Sequence, residues 1–290
     1  MTEHITMSQT ITDDLRRWLQ EQIDDGAEHE AMLDALMAAG WAEDLAERAI
    51  RITRRERSAR EAAEREPQAA PRSAVPTIHT GPSSREILVD GRAVHVLASL
   101  NLPRVVLLAG LLSAEECDAL IAAARPRLAR SLTVQTTTGG EELNPDRTSD
   151  GMFFNRGETE LVRRIEARIA ALVHWPVENG EGMQVLHYRA GAEYKPHYDY
   201  FDPAEPGTPT ILRRGGQRVG TLVMYLNDPA RGGGTVFPDA GFEVMPQCGH
   251  AVFFSYDRPS PATRTLHGGA PVLEGEKWIA TKWLRERTFT

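Results

Sequence analysis

From residue 184 onward the chain is a succession of short β-prone runs cut by glycine and proline, and this pattern limits the possible folds more than anything upstream. Runs rich in Val, Ile, Phe, Tyr and Thr fall at 184–188, 194–198, 219–226, 234–237, 251–255, 263–266 and 277–283. Strands this short bury their apolar faces only by packing sheet on sheet. The preceding region is largely helical in pattern. Ser113 and Glu116 have the spacing of a capping box before a helix carrying Cys117, Leu120 and Ile121. Leu161, Ile165, Ile169 and Leu172 form one face of a second helix over 160–173. Asp90-Gly91, between Ile87-Leu88-Val89 and Ala93-Val94-His95-Val96, predicts a hairpin, followed by a strand near 105–108. The expected class is α+β: a double-stranded β-helix, or jelly roll, backed by helices, with any site at its mouth.

Three regions are predicted along the chain. Residues 1–52 read as a small three-helix module, with Leu15, Trp18, Leu19 and Ile23, then Leu33, Leu36 and Met37, then Leu45, Ala49 and Ile50 at helical spacing. Packing through Trp18 and Trp41 would resemble a ubiquitin-associated-type bundle, either docking a partner protein or serving as a stabilising appendage. Residues 53–84 read as a charged helix or tether followed by a Pro/Ala-rich linker with Pro67, Pro71, Pro76 and Pro82. Residues 85–290 form the main domain. Within it, the Pro/Gly-rich stretch from Asp202 to Pro209 reads as a mobile loop, either a lid or an inert surface loop.

Composition excludes several classes. The 290 residues, 41% apolar and 26% charged, suit one large core with an appendage. The formal net charge of −8 argues against a nucleic-acid partner, and residues 1–50 alone hold twelve Asp/Glu against three Arg. No apolar run approaches the roughly 18 to 20 residues that span a bilayer, so no membrane association is expected. The first residues lack a basic stretch followed by an apolar one, and the expected location is the cytoplasm. Two cysteines, Cys117 and Cys248, fit reduced thiols there.

Chemistry enters with His197-x-Asp199. Residues i and i+2 of a strand project from one face, so both can address one ion, and His267 is the candidate third ligand from another strand. Two imidazoles and a carboxylate on one triangular face leave up to three open positions, as Fe(II) oxygenases require. Alone, His-x-Asp in a chain with nine histidines carries little weight. Its weight comes from the company: Tyr188-x-x-Gly191-x-x-Tyr194-x-x-His197-x-Asp199, then Gly232-Gly233-Gly234-Thr235-Val236-Phe237-Pro238, then His267-Gly268-Gly269 with Lys277 and Trp283. On the last strand Lys277, Ile279, Thr281 and Trp283 share a face, aligning an ammonium, small side chains and an indole.

At these residues, and over about 100–287, the chain resembles the prolyl 4-hydroxylases, a branch of the Fe(II)- and 2-oxoglutarate-dependent dioxygenases. The resemblance implies iron on His197, Asp199 and His267. It implies 2-oxoglutarate held by Tyr188, Thr235 and Lys277, O2 as second cosubstrate, and ascorbate to re-reduce iron. It places Arg147, Ser149, Glu181, Tyr194, Arg218 and Trp283 around a proline-containing peptide or protein substrate. One departure stands out: the usual Gly-Gly-Glu-Thr is here Gly233-Gly234-Thr235 preceded by Gly232, with no acid before Thr235. The activity implied is hydroxylation of peptidyl proline with release of succinate and CO2, as in procollagen-proline 4-dioxygenases. Two alternatives remain: an oxygenase acting on a free amino acid or other small molecule, and a non-catalytic metal-binding jelly roll with a partner-docking module.

Overall fold

The computed structural model describes residues 13–65, 72–79, 85–134, 141–143 and 146–290, in two compact units, Met1–Gln68 and Ala69–Thr290. The first unit is three helices, Asp13–Asp24, His29–Ala38 and Glu43–Arg65, around a core of Leu19, Met32, Leu36, Ala49 and Ile50. Trp18 and Trp41 flank that core, partly buried, rather than forming it. The third helix runs well past the boundary expected at 52. Its buried stripe reaches Thr53, and the Arg, Glu and Ala beyond are strong helix formers that let it continue.

The second unit is a jelly roll whose larger sheet has nine strands. One of its inner strands, Lys277–Arg285, lies antiparallel between Arg218–Tyr225 and Met183–Tyr188. Every residue of the Lys277 strand is buried, because both faces of the sheet are covered. On one face lie the helices Ala114–Ala124 and Glu160–Val173, which place Cys117, Leu120, Ile165 and Ile169 against Val185, Leu222, Met224 and Ala280. Their starts are encoded locally: Ser113 and Glu116 close the expected capping box, and the Thr159 hydroxyl accepts from Val162 N–H. On the other face lies a four-stranded sheet in the order Phe242–Val244, Thr235–Phe237, His267–Gly269, Tyr194–His197. Its Phe237 and Val244 pack with Tyr188, Val223, Tyr225 and Ile279 of the larger sheet. The predicted hairpin is present, Glu86–Val89 with Arg92–Leu100, and Asp90 (φ 52°) and Gly91 (φ 71°) are both left-handed, as a tight two-residue turn demands.

Three expectations need correction. The strand expected at 263–266 is instead a 3₁₀ turn, Pro261–Thr263, followed by left-handed Arg264 (φ 53°). Ser260 and Thr263 hydroxyls bond to the local backbone and compete with sheet pairing, so pairing starts only at His267. The loop after Phe201 holds a short helix, Thr208–Leu212, with Thr208 and Ile211 buried. It is pinned by the Thr208 hydroxyl on Asp202 O and by the Arg285 guanidinium on Ile211 O and Arg214 O. Of the expected linker, 66–71 and 80–84 lie outside the described residues, but 72–79 packs on the jelly roll. Ser73 N–H donates to Asp257 O, Thr77 N–H to Val173 O, and buried Pro76 sits against Gly220. Proline read as a spacer here packs as an apolar ring.

Candidate active site

His197 ends the Tyr194–His197 strand and pairs in register with His267, which begins the neighbouring strand. Asp199 lies two residues beyond the strand end, so a bend rather than strand alternation turns its carboxylate inward. The three side chains bring one ligand atom each within 4.8 Å of one another. His267 Nε2 is 3.4 Å from Asp199 Oδ2, and His197 Nε2 is 3.8 Å from Oδ1. Both Nδ1 atoms stand 2.9 Å from the carbonyl two residues back, Lys195 O for His197 and Thr265 O for His267. With Nδ1–H donating to those carbonyls, each Nε2 presents its lone pair to the shared point.

The donor set fits a divalent iron. Ligand atoms about 2.1 Å from an ion at right angles stand about 3 Å apart, and the spacings here are somewhat wider, 3.4 and 3.8 Å from each Nε2 to Asp199 and none above 4.8 Å. Burial and the neighbouring His267 push His197 down to about 3, so it is neutral at physiological pH. Burial would raise Asp199, but His267, His197, Arg218 and the Thr221 hydroxyl outweigh it and keep the carboxyl below its usual range. A neutral His197 imidazole and an ionised Asp199 carboxylate result, with the His267 ring completing the donor set.

Residues that the sequence did not single out hold this geometry. Fully buried Thr221 donates its hydroxyl to Asp199 Oδ2 at 2.7 Å and lies 3.0 Å from the Tyr256 hydroxyl. Tyr225 donates to the Thr235 hydroxyl at 2.8 Å, which leaves the Thr235 proton free to donate into the cavity. The one signal for them was alternation on the Arg218–Tyr225 strand, where Thr221, Val223 and Tyr225 share a face and a threonine interrupts an apolar row.

The same cavity is lined by Tyr188, Thr235 and Lys277, together with the row Ile279, Thr281, Trp283 expected from strand alternation. Lys277 is 2% exposed, pairs in register with Tyr188, and sets Nζ 5.4 Å from the Tyr188 ring centroid. Burial lowers its pKa to about 8, with Glu243 acting in the opposite sense. A buried ammonium lining a cavity is a receptor for a carboxylate, and hydroxyls beside it complete the hydrogen bonds that a desolvated anion needs.

The six residues expected around a substrate divide. Arg147, Tyr194 and Trp283 line the cavity. Arg147 donates to Gln184 Oε1 at 2.8 Å and stacks over the Tyr194 ring, which itself stacks on His197 at 3.7 Å. The Trp283 indole N–H is buried with no partner among the described residues. The other three have partners elsewhere. Ser149 is fully buried with its hydroxyl 3.1 Å from that of Ser131. Glu181 and Arg218 form a buried bidentate pair at 2.7 and 2.9 Å, and Arg218 stacks 4.1 Å from the Trp283 ring. That pair braces the wall beside Asp199, 3.9 Å from Arg218 Nη1, rather than presenting a free guanidinium. His187 faces away, stacked on Trp278 and bonded to Glu276.

Residues 183–285 match the model of the 2OG-Fe(II) oxygenase superfamily. The chain is 42% identical over 208 residues to prolyl 4-hydroxylase 5 of Arabidopsis thaliana, covering 64% of this chain and 70% of that protein. It is 44% identical over 203 residues to prolyl 4-hydroxylase 1 of the same plant, again covering 64% and 70%. Among solved structures, the viral collagen prolyl hydroxylase from Paramecium Bursaria Chlorella virus-1, in its 2OG complex, is 31% identical with a TM-score of 0.49, covering 62% of this chain and 95% of that one.

Proposed function

The chain belongs to the prolyl 4-hydroxylase family of 2OG-Fe(II) oxygenases, and we propose that His197, Asp199 and His267 hold its iron while Lys277, Tyr188 and Thr235 hold its 2-oxoglutarate. It is a 2-oxoglutarate-dependent dioxygenase acting on peptidyl proline. Held there, iron and 2-oxoglutarate would supply the O2 activation, oxidative decarboxylation to CO2 and succinate, which takes one oxygen atom, being coupled to insertion of the other into a proline C–H bond. The chain's own part is to bind, orient and exclude water. Lys277 neutralises the far carboxylate, Tyr188 and Thr235 donate hydroxyls to it, and Leu186, Val223 and Ile279 keep the walls apolar. Arg147 and the Trp283 indole N–H lie at the same cavity, where they would donate to substrate backbone carbonyls.

The observation that carries this reading is the convergence of the His-Asp-His cluster and a buried lysine on one cavity. It is tested by succinate release from anaerobically iron-loaded protein given 2-oxoglutarate, O2 and proline-rich peptides, with mass spectrometry of the products. One added oxygen on proline, absent in His267→Ala and Lys277→Ala, is expected. Modification persisting in either variant would remove that residue from its role. Turnover of 2-oxoglutarate with no peptide changed would move the assignment to a small-molecule substrate.

Three finer points belong to the same proposal. Ascorbate serves as auxiliary reductant, and the enzyme works in the cytoplasm, a setting suited to the free thiols Cys117 and Cys248. The N-terminal unit, with its own core and exposed Met37, docks the substrate protein. Met37→Asp should then slow hydroxylation of the whole substrate protein and leave short peptides unaffected.

A further inference from the structure

We propose that Glu243 is a positioning residue for 2-oxoglutarate: it lays a carboxylate over Gly234 from the neighbouring strand, steadying the turn before Thr235 and supporting Lys277 as the carboxylate receptor. This rests on the reading that Lys277 anchors the cosubstrate.

The three glycines before Thr235 are there for different reasons. Gly232 (φ 78°) and Gly233 (φ 75°) are left-handed, and a Cβ on Gly232 would also come 2.5 Å from Pro271 O. Gly234 has no such backbone demand. The nearest neighbours of a Cβ there belong to the Glu243 side chain: it would run into Oε1 and come 2.7 Å from Cδ and 2.8 Å from Cγ, so this flexible, exposed side chain would have to swing aside. Strand register explains the encounter. Glu243 pairs with Val236, so Glu243, Val236 and residue 234 share the face opposite to Thr235, with 243 and 234 as diagonal neighbours. With no side chain at 234, the carboxylate lies down over the backbone.

Lys277 braces the same turn. Its Cδ is 3.2 Å from the place of a Cβ on Gly233, and its Nζ 3.7 Å from that of a Cβ on Gly269, the residue paired with Thr235. The glycine turn therefore lies between the stem of the lysine and the carboxylate of Glu243, and Glu243 favours the ammonium form of Lys277, the form that receives a carboxylate. The sequence places no acid before Thr235, and the fold brings one there from the next strand. Because Glu243 is solvent-exposed, its influence is screened and modest.

The test is 2-oxoglutarate binding to Co(II)-loaded protein by calorimetry without O2, alongside steady-state KM and kcat of the iron enzyme. Glu243→Gln keeps the shape and removes the charge, and Gly234→Ala displaces the carboxylate. Each is expected to weaken 2-oxoglutarate binding and raise its KM about three- to tenfold, with kcat at saturation within about twofold. The double variant Gly234→Glu/Glu243→Ala, which moves the acid to the other strand, is expected to recover the affinity. Unchanged affinity in Glu243→Gln, or no recovery in the double variant, overturns the proposal. Lys277→Ala separates the two readings: if it too leaves binding intact, the anchor assignment fails; if it abolishes binding while Glu243→Gln does nothing, only the role of Glu243 fails.

Discussion

Replacing Thr221 by valine should weaken metal binding without touching a ligand. Thr221 is fully buried, and its hydroxyl donates to Asp199 Oδ2 at 2.7 Å while meeting the Tyr256 hydroxyl at 3.0 Å. Valine matches the shape and removes the donor, leaving one carboxylate oxygen free to rotate and desolvated. A hydrogen bond to a charged group contributes about 1.5–3 kcal/mol, and about 1.4 kcal/mol corresponds to tenfold, so metal affinity should fall roughly 10- to 100-fold. The assay is chelator competition against the Co(II)-loaded protein, read by its visible absorption, with Thr221→Ser as companion. Serine keeps the hydroxyl and should stay within about threefold of the parent. Parental affinity in Thr221→Val, or an equal loss in both variants, would refute the idea that this hydroxyl orients Asp199.

Burial holds Lys277 near 8, so the ammonium that receives 2-oxoglutarate is present below that pH and lost above it. The KM for 2-oxoglutarate should accordingly rise toward about tenfold per pH unit above pH 8, and a flat profile up to about pH 9.5 would contradict the assignment. Glu181→Ala leaves Arg218 buried beside Asp199 without its bidentate partner and should destabilise the fold by about 3–5 kcal/mol, seen as a lowered Tm. Burial works against the Glu116 carboxylate, but Arg168, the Ser113 N–H and Arg92 hold it down to about 2. Its stabilisation, about 3 kcal/mol, is therefore complete above about pH 4.5 and lost as pH falls toward 2. Acid unfolding of Glu116→Gln should lack that component, and identical acid profiles for variant and parent would remove Glu116 from the account.

The sequence by itself determined the local chemistry. Ser113 with Glu116, Asp90 with Gly91, and the apolar face of 160–173 act within a few residues, and each appears where its pattern placed it. The Lys277, Ile279, Thr281, Trp283 row was legible because strand alternation is a period-two rule that needs no partner, and all four residues meet in the cavity. The metal cluster was legible as composition and order, though not as geometry. Asp199 is turned inward by a bend after the strand, and of the alternating threonines before His267, Thr263 bonds to the local backbone at Ser260 O while the Thr265 hydroxyl meets that of Thr263, instead of either pairing in a sheet. What only the tertiary structure decided is who partners whom across the sheets. Thr221 on Asp199, Tyr225 on Thr235 and Glu181 on Arg218 are separated by 22, 10 and 37 positions. The register that places Glu243 over Gly234 belongs to a pairing between strands, and no local period encodes it. Side-chain type sets what a residue can do, but burial and long-range register set which charge it faces, and those depend on the whole chain closing around one cavity.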